Sequence, residues 1–168
     1  MENLAYNFKV VVLGDPGVGK TSLVKTFATG KFDRNYIPTL GVNILTKDIN
    51  FKNVKVSLVI WDLAGQGFMD NVRAQYYTGA QAAIMVYDVT KENTLTGITK
   101  WNDECKKLAP NILLKTVVGN KIDLASERKV TTDEGSKFAK NINAQFFETS
   151  ALSGRNVEPM FNSCGWDM

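Results

Sequence analysis

The segment FKVVVLGDPGVGKTS, residues 8–22, constrains the fold of this 168-residue chain more than any other. A short, continuous apolar run closed by glycine reads as a strand buried on both faces. It leads directly into Gly14-x4-Gly19-Lys20-Thr21, the pattern of a loop that grips phosphate. Glycines let such a loop curl until its backbone N–H groups point inward, and the helix that follows adds the positive end of its dipole. Lys20 supplies a point charge, and the Thr21 hydroxyl can bind Mg²⁺. Strand, phosphate loop and helix in that order call for an open α/β sheet.

The rest of the chain agrees. Residues 82–89, 112–120 and 144–150 read as further buried strands, and 19–29, 91–108 and 131–142 carry helical spacing. Alternating apolar strands and amphipathic helices imply a parallel sheet covered on both faces. Residues 42–51 and 54–61 break the alternation, because only Lys52 and Asn53 separate two strand-like runs, which reads as an antiparallel hairpin. The expected architecture is α/β and doubly wound: a six-stranded, mostly parallel sheet with one antiparallel strand and helices on both faces. Residues 1–168 form a single domain. Ligands of such sheets sit beyond the carboxyl ends of the strands, in loops 14–20, 62–75, 88–93, 120–128 and 149–156.

Composition narrows the function. The net charge is +3, with Lys and Arg scattered rather than massed, so a nucleic-acid partner is not expected. Cys105 and Cys164 lie far apart without metal spacing, which suits a reducing cytosol. No apolar run reaches membrane-spanning length, and MENLAYNF lacks the character of a leader. The chain has no histidine, which removes the commonest general base.

Pro16 has no N–H to offer a phosphate, so the cradle must be built by Gly17, Val18, Gly19, Lys20 and Thr21. Its ring instead limits the space where a partner's side chain would reach the terminal phosphate. The base is read elsewhere. NKID, residues 120–123, ends a buried strand on the ligand edge. The Asp123 carboxylate can accept from both the N1 and N2 donors of guanine, a pair adenine lacks. Asn120 would touch the guanine oxygen side and tie loops together, while the Lys121 stem covers the ring. ETSAL, residues 148–152, would aim the Ala151 N–H at the guanine O6.

Five segments in order, GDPGVGKTSL, YIPTLGV, WDLAGQ, NKIDL and ETSAL, resemble those of Ras-superfamily small GTPases. YYTGAQAAIMVYDVT, FAKNINAQFFETSA and GRNVEPMF point to the Rab branch; PTLGV also resembles the Ran branch. The resemblance implies the small-GTPase fold and a switch that binds GTP or GDP with Mg²⁺ and slowly hydrolyses GTP. It implies that Ser22, Ser150 and Leu152 complete the nucleotide site, that Phe32 packs on guanine, and that Tyr36 lies over the phosphates. Thr39 would join Thr21 in the Mg²⁺ shell, with Asp62 holding the ion through water. The Gly65 N–H would meet the γ-phosphate, and Gln66 would orient the attacking water, with Lys20 and Thr39 assisting catalysis. Effectors, exchange factors and GTPase-activating proteins would read residues 33–45 and 61–77 of a monomer acting in trafficking.

Several positions depart from that pattern. Leu63 and Gly67–Asp70 replace the usual Rab residues, and Phe68, Met69 and Val72 make an apolar patch that serves either partners or the neighbouring helix. Ile44, Trp61 and Tyr77 match a Rab partner-reading cluster, with Ile44 in place of Phe. Pro159 and Gly165 predict a short last helix. The chain shows no long tail, and Cys164 stands fifth from the end, so no lipid anchor is expected. The expected location is cytoplasmic, with membrane association only through a partner or a missing tail. Two alternatives stay open: a GTP-bound scaffold with little hydrolysis, and a metabolic phosphoryl-transfer enzyme. The scattered Arg34, Arg73, Arg128 and Arg155 argue against the second.

Overall fold

The computed structural model describes residues 4–35, 41–63 and 70–167. Six strands, β1 (Leu4–Leu13), β2 (Val42–Phe51), β3 (Val54–Leu63), β4 (Ala82–Asp88), β5 (Leu114–Asn120) and β6 (Gln145–Glu148), form one sheet. Their order is β2-β3-β1-β4-β5-β6, and only β2 runs antiparallel to its neighbour. The helices are α1 (Lys20–Thr29), α2 (Asp70–Tyr77), α3 (Glu92–Thr96), α4 (Ile98–Leu108), α5 (Thr132–Asn141) and α6 (Val157–Trp166), with a 3₁₀ turn at Ala125–Glu127.

Strand alternation divides the core. Val10 and Val12 of β1 face Leu23 and Phe27 of α1 and Met160 and Phe161 of α6. Val11 and Leu13 face Tyr77 of α2, Ile98 and Trp101 of α4, and Ala139 of α5. All four β1 residues are fully buried, so a strand covered on both sides must be apolar throughout. The Phe27 and Phe161 rings stack at 4.4 Å and join α1 to α6.

Boundaries moved in informative places. The stretch 91–108 is not one helix but α3 and α4, divided at Gly97. Residues 70–75, expected in a loop, lie in α2. The last helix runs ten residues, because Pro159 falls in its first turn, where a missing N–H costs little, and Gly165 seats the final turn against Phe51 and Val56. Among the described residues no helix is long and apolar enough to cross a membrane.

Candidate nucleotide site

The carboxyl ends of β1, β5 and β6 meet around a cavity of about 410 Å³. Gly17, Gly19 and Ser22 border it from the phosphate loop and the start of α1. Asn120, Lys121 and Asp123 border it after β5, and Ala151 and Leu152 after β6. Phe32 closes another side while packing on the α1–α6 core. Residues dispersed over most of the sequence thus share one volume.

Asn120 joins the three loops. It is 1% exposed, and its Nδ2 donates to the Val18 carbonyl at 3.0 Å. Its Oδ1 accepts from Thr149 Oγ1 at 3.1 Å and from the Ala151 N–H at 3.3 Å. The Ala151 N–H, expected to aim at the base, therefore has a partner on Asn120. Gly19 makes the approach possible: at φ 101° it occupies a region glycine favours, and a Cβ there would stand 2.3 Å from Asn120 Nδ2.

Lys121 crosses from the base loop to the phosphate loop. Its Nζ donates to the Gly17 carbonyl at 2.7 Å and pairs with Asp88 Oδ2 at 2.9 Å. Burial pushes the Asp88 carboxyl up, but hydrogen bonds from Thr90 and Lys121 outweigh it and hold the group below the usual range. Asp123 Oδ1 accepts from Ser150 Oγ at 2.8 Å, and Ser150 Oγ in turn accepts from the Ser153 N–H at 3.0 Å. Ser150 thereby fixes the Asp123 carboxylate at the edge of the cavity.

At the phosphate end, Val18 is fully buried beneath the loop while Pro16 is exposed at its crown. A Cβ at Gly17 would meet nothing within 4 Å, so open space lies over the backbone there. Lys20 is 7% exposed and donates to the Gly14 and Asp15 carbonyls at 2.7 and 2.9 Å. Burial lowers its pKa to about 8, against the opposing pull of Asp62 and Asp15. Thr21 Oγ1 donates to Asp62 Oδ2 at 2.5 Å. Asp62 is 1% exposed, and its Oδ1 has no hydrogen-bond partner among the described residues. Desolvation raises the Asp62 carboxyl, with Thr21 and Lys20 partly countering it. A half-buried hydroxyl beside a buried carboxylate with one orphaned oxygen fits a hard divalent cation such as Mg²⁺.

Tyr36, Thr39, Gly65 and Gln66 lie outside the described residues, as do Phe68 and Met69 of the apolar patch. The partner-reading cluster needs a correction: Tyr77 is fully buried, whereas Tyr76 meets Trp61 with ring centroids 5.7 Å apart. One step along a helix turns a side chain by about 100°, which sends Tyr77 into the core. Ile44 is 56% exposed.

Sequence reasoning missed five contributors. Leu124 borders the cavity and immediately follows Asp123, so NKIDL already contained it. Arg128 and Glu148 form a two-pronged ion pair at 2.6 and 3.2 Å, locking the segment after Asp123 to the end of β6. Asp15 accepts from the Trp101 indole at 3.0 Å, a contact no local pattern announces.

A strand, a Gly14-x4-Gly19-Lys20-Thr21 loop and a helix, facing the loop after β5 across one cavity, define a P-loop domain. The sequence profile of the Ras family matches residues 9–168. The chain is 41% identical over 157 residues to Ras-related protein Rab-21 of Mus musculus, covering 94% of this chain and 71% of that protein. To Ras-related protein Rab-13 of Mesocricetus auratus it is 37% identical over 161 residues, covering 96% and 79%. The chain belongs to the Ras family, in its Rab branch, and is a small GTPase.

Proposed function

We propose that this chain is a guanine-nucleotide switch that holds GTP or GDP with Mg²⁺, hydrolyses GTP slowly and acts in intracellular trafficking. The observation that carries the reading is the 410 Å³ cavity, which has the Asp123 carboxylate at one end and the phosphate loop at the other. Asp123 accepts from the guanine N1 and N2 donors, and Lys121, Phe32, Leu124 and Leu152 enclose the base. Backbone N–H groups from Gly17 to Thr21 cradle the phosphates, and the Lys20 ammonium leaves its two carbonyls for phosphate oxygens. Thr21 and Thr39, with Asp62 through water, would hold Mg²⁺, which would supply positive charge against the charge developing on the phosphates.

Gln66 orients the attacking water, and the Gly65 N–H meets the γ-phosphate. Phosphoryl transfer needs positioning and charge neutralisation rather than a strong base, which suits a chain without histidine. Intrinsic turnover is expected on the order of 10⁻⁴ s⁻¹. Regulators and effectors engage residues 33–45 and 61–77, where Ile44, Trp61 and Tyr76 present apolar surface to a partner. The protein works as a cytoplasmic monomer that reaches membranes through a partner or a further segment.

The exposed Pro16 motivates one alternative, a GTP-bound scaffold with little turnover. Single-turnover phosphate release from Mg²⁺-GTP-loaded protein, measured beside Gln66→Leu, separates the two. Slow release abolished by the substitution supports the switch. No release from either protein, with GTP retained, overturns hydrolysis and leaves the scaffold.

A further inference from the structure

The phosphate loop is held from behind, away from the nucleotide. Trp101 of α4 is 1% exposed, and a buried indole N–H needs an acceptor. It finds Asp15 Oδ1 at 3.0 Å, 86 residues away in sequence. The backbone of Asp15 meanwhile supplies one of the two carbonyls that receive the Lys20 ammonium. The other carboxylate oxygen of Asp15 occupies the place beside Gly97, where a Cβ would stand only 2.5 Å from Oδ2. A side chain at 97 would therefore push Asp15 off the indole.

The same ring is gripped from α2. The Arg73 guanidinium carbon stands 5.0 Å from the Trp101 centroid, a distance at which a cation over an aromatic face attracts it. Arg73 Nε donates to Glu104 Oε1 at 2.7 Å, three residues beyond Trp101 on α4, and both partners are largely buried. Arg73 Nη2 has no hydrogen-bond partner among the described residues, and Trp101 and Glu104 both contact this side chain. Neither Trp101 nor Arg73 borders the nucleotide cavity.

We propose that Trp101 and Asp15 are positioning residues that set how long the nucleotide stays bound, and that Arg73 transmits the placement of α2 to the phosphate loop through the Trp101 ring. The idea rests on the nucleotide reading above. Asp15 fixes the first turn of the loop, so the N–H groups from Gly17 onward remain aimed at the phosphates. Releasing it loosens the cradle without touching a group that binds the ligand. A regulator that displaces α2 at Arg73 would thereby speed release from the far side of the loop.

The test is dissociation of a fluorescent GDP analogue from the Mg²⁺-loaded protein. Trp101→Phe keeps the ring but deletes the donor, and Asp15→Ala deletes the acceptor. Each should accelerate release about tenfold, equivalent to about 1.4 kcal/mol. The double variant should release no faster than the faster single, and Asp15→Asn, which keeps an acceptor oxygen, should recover most of the loss. Arg73→Ala should accelerate release about threefold in the wild-type background and have no effect alongside Asp15→Ala. Such rescue and non-additivity would not follow from general destabilisation. Should Trp101→Phe fail to fold, the Asp15→Ala and Asp15→Asn pair decides alone. Release within twofold of wild type for Asp15→Ala, or an equal effect of Arg73→Ala in both backgrounds, overturns the proposal. A wild-type chain that does not retain GDP overturns the nucleotide reading itself, and this proposal with it.

Discussion

Lys20 makes nucleotide binding proton-linked in a way that can be measured directly. In this fold, burial lowers its pKa to about 8 while its ammonium donates to two backbone carbonyls. Phosphate oxygens would hold the charged form, so the bound-state pKa rises well above that value. Binding near pH 8 must therefore take up a proton. The expected uptake is about 0.1 proton per nucleotide at pH 7, about 0.5 at pH 8 and about 0.75 at pH 8.5. Affinity should fall about fourfold between pH 7 and pH 8.5 for the same reason.

Titration calorimetry of Mg²⁺-GDP in two buffers of different ionisation enthalpy gives the uptake without any assumption about affinity. Uptake below about 0.1 proton at pH 8 would refute the premise that burial leaves Lys20 partly neutral near that pH. The same shift fixes the sign for the stability of this fold. Its folded pKa lies below the unfolded value of 10.5, so the unfolded chain carries the extra proton between about 8 and 10.5. Stability should rise with pH across that window.

Four further outcomes follow from these contacts. Gly19→Ala places a methyl 2.3 Å from Asn120 Nδ2 at a strained φ, and should weaken GDP binding by about 3 kcal/mol, read from fluorescent-nucleotide titration. The Tyr87 hydroxyl is buried without a partner among the described residues, so Tyr87→Phe should leave stability unchanged or raise it by up to about 1 kcal/mol in urea unfolding. Gly135→Ala in the same wall, with a Cβ 2.1 Å from that hydroxyl, should cost about 2 kcal/mol in the same assay. Arg128→Gln leaves Glu148 without its two-pronged partner and should cost about 2 kcal/mol, with a matching drop in thermal midpoint.

The sheet was legible because a strand buried on both faces leaves a continuous apolar run, as in 8–14 and 82–89, and little else produces one. The phosphate loop was legible because its glycines are dictated by backbone geometry, so the requirement is written locally. NKID and ETSAL declared the base end for a similar reason, each set immediately after a strand on the ligand edge. What escaped depends on distance or on angle. The Asp15–Trp101 bond spans 86 residues, and neither residue looks unusual where it stands. Gly97 looks like a weak helical residue until Asp15 is seen lying against it. Tyr76 and Tyr77 differ by one position, and only the packed orientation of α2 decides which of them meets Trp61. α2 itself begins in a polar stretch with no apolar stripe to announce it.

The single amide of Asn120 spans Val18, Thr149 and Ala151. The two halves of the nucleotide therefore do not bind to independent surfaces. On the proposed reading, a guanine seated against Asp123 would lie in the same cavity as Asn120, which also holds the phosphate loop, so the loop would have less freedom left to lose when phosphates arrive. The ligand would then behave as a chelate: joined base and diphosphate would gain more together than the sum of the separate pieces, and each piece alone would be held weakly. Nucleosides and free phosphate should then compete poorly even at high concentration, which keeps such a site reserved for the intact nucleotide.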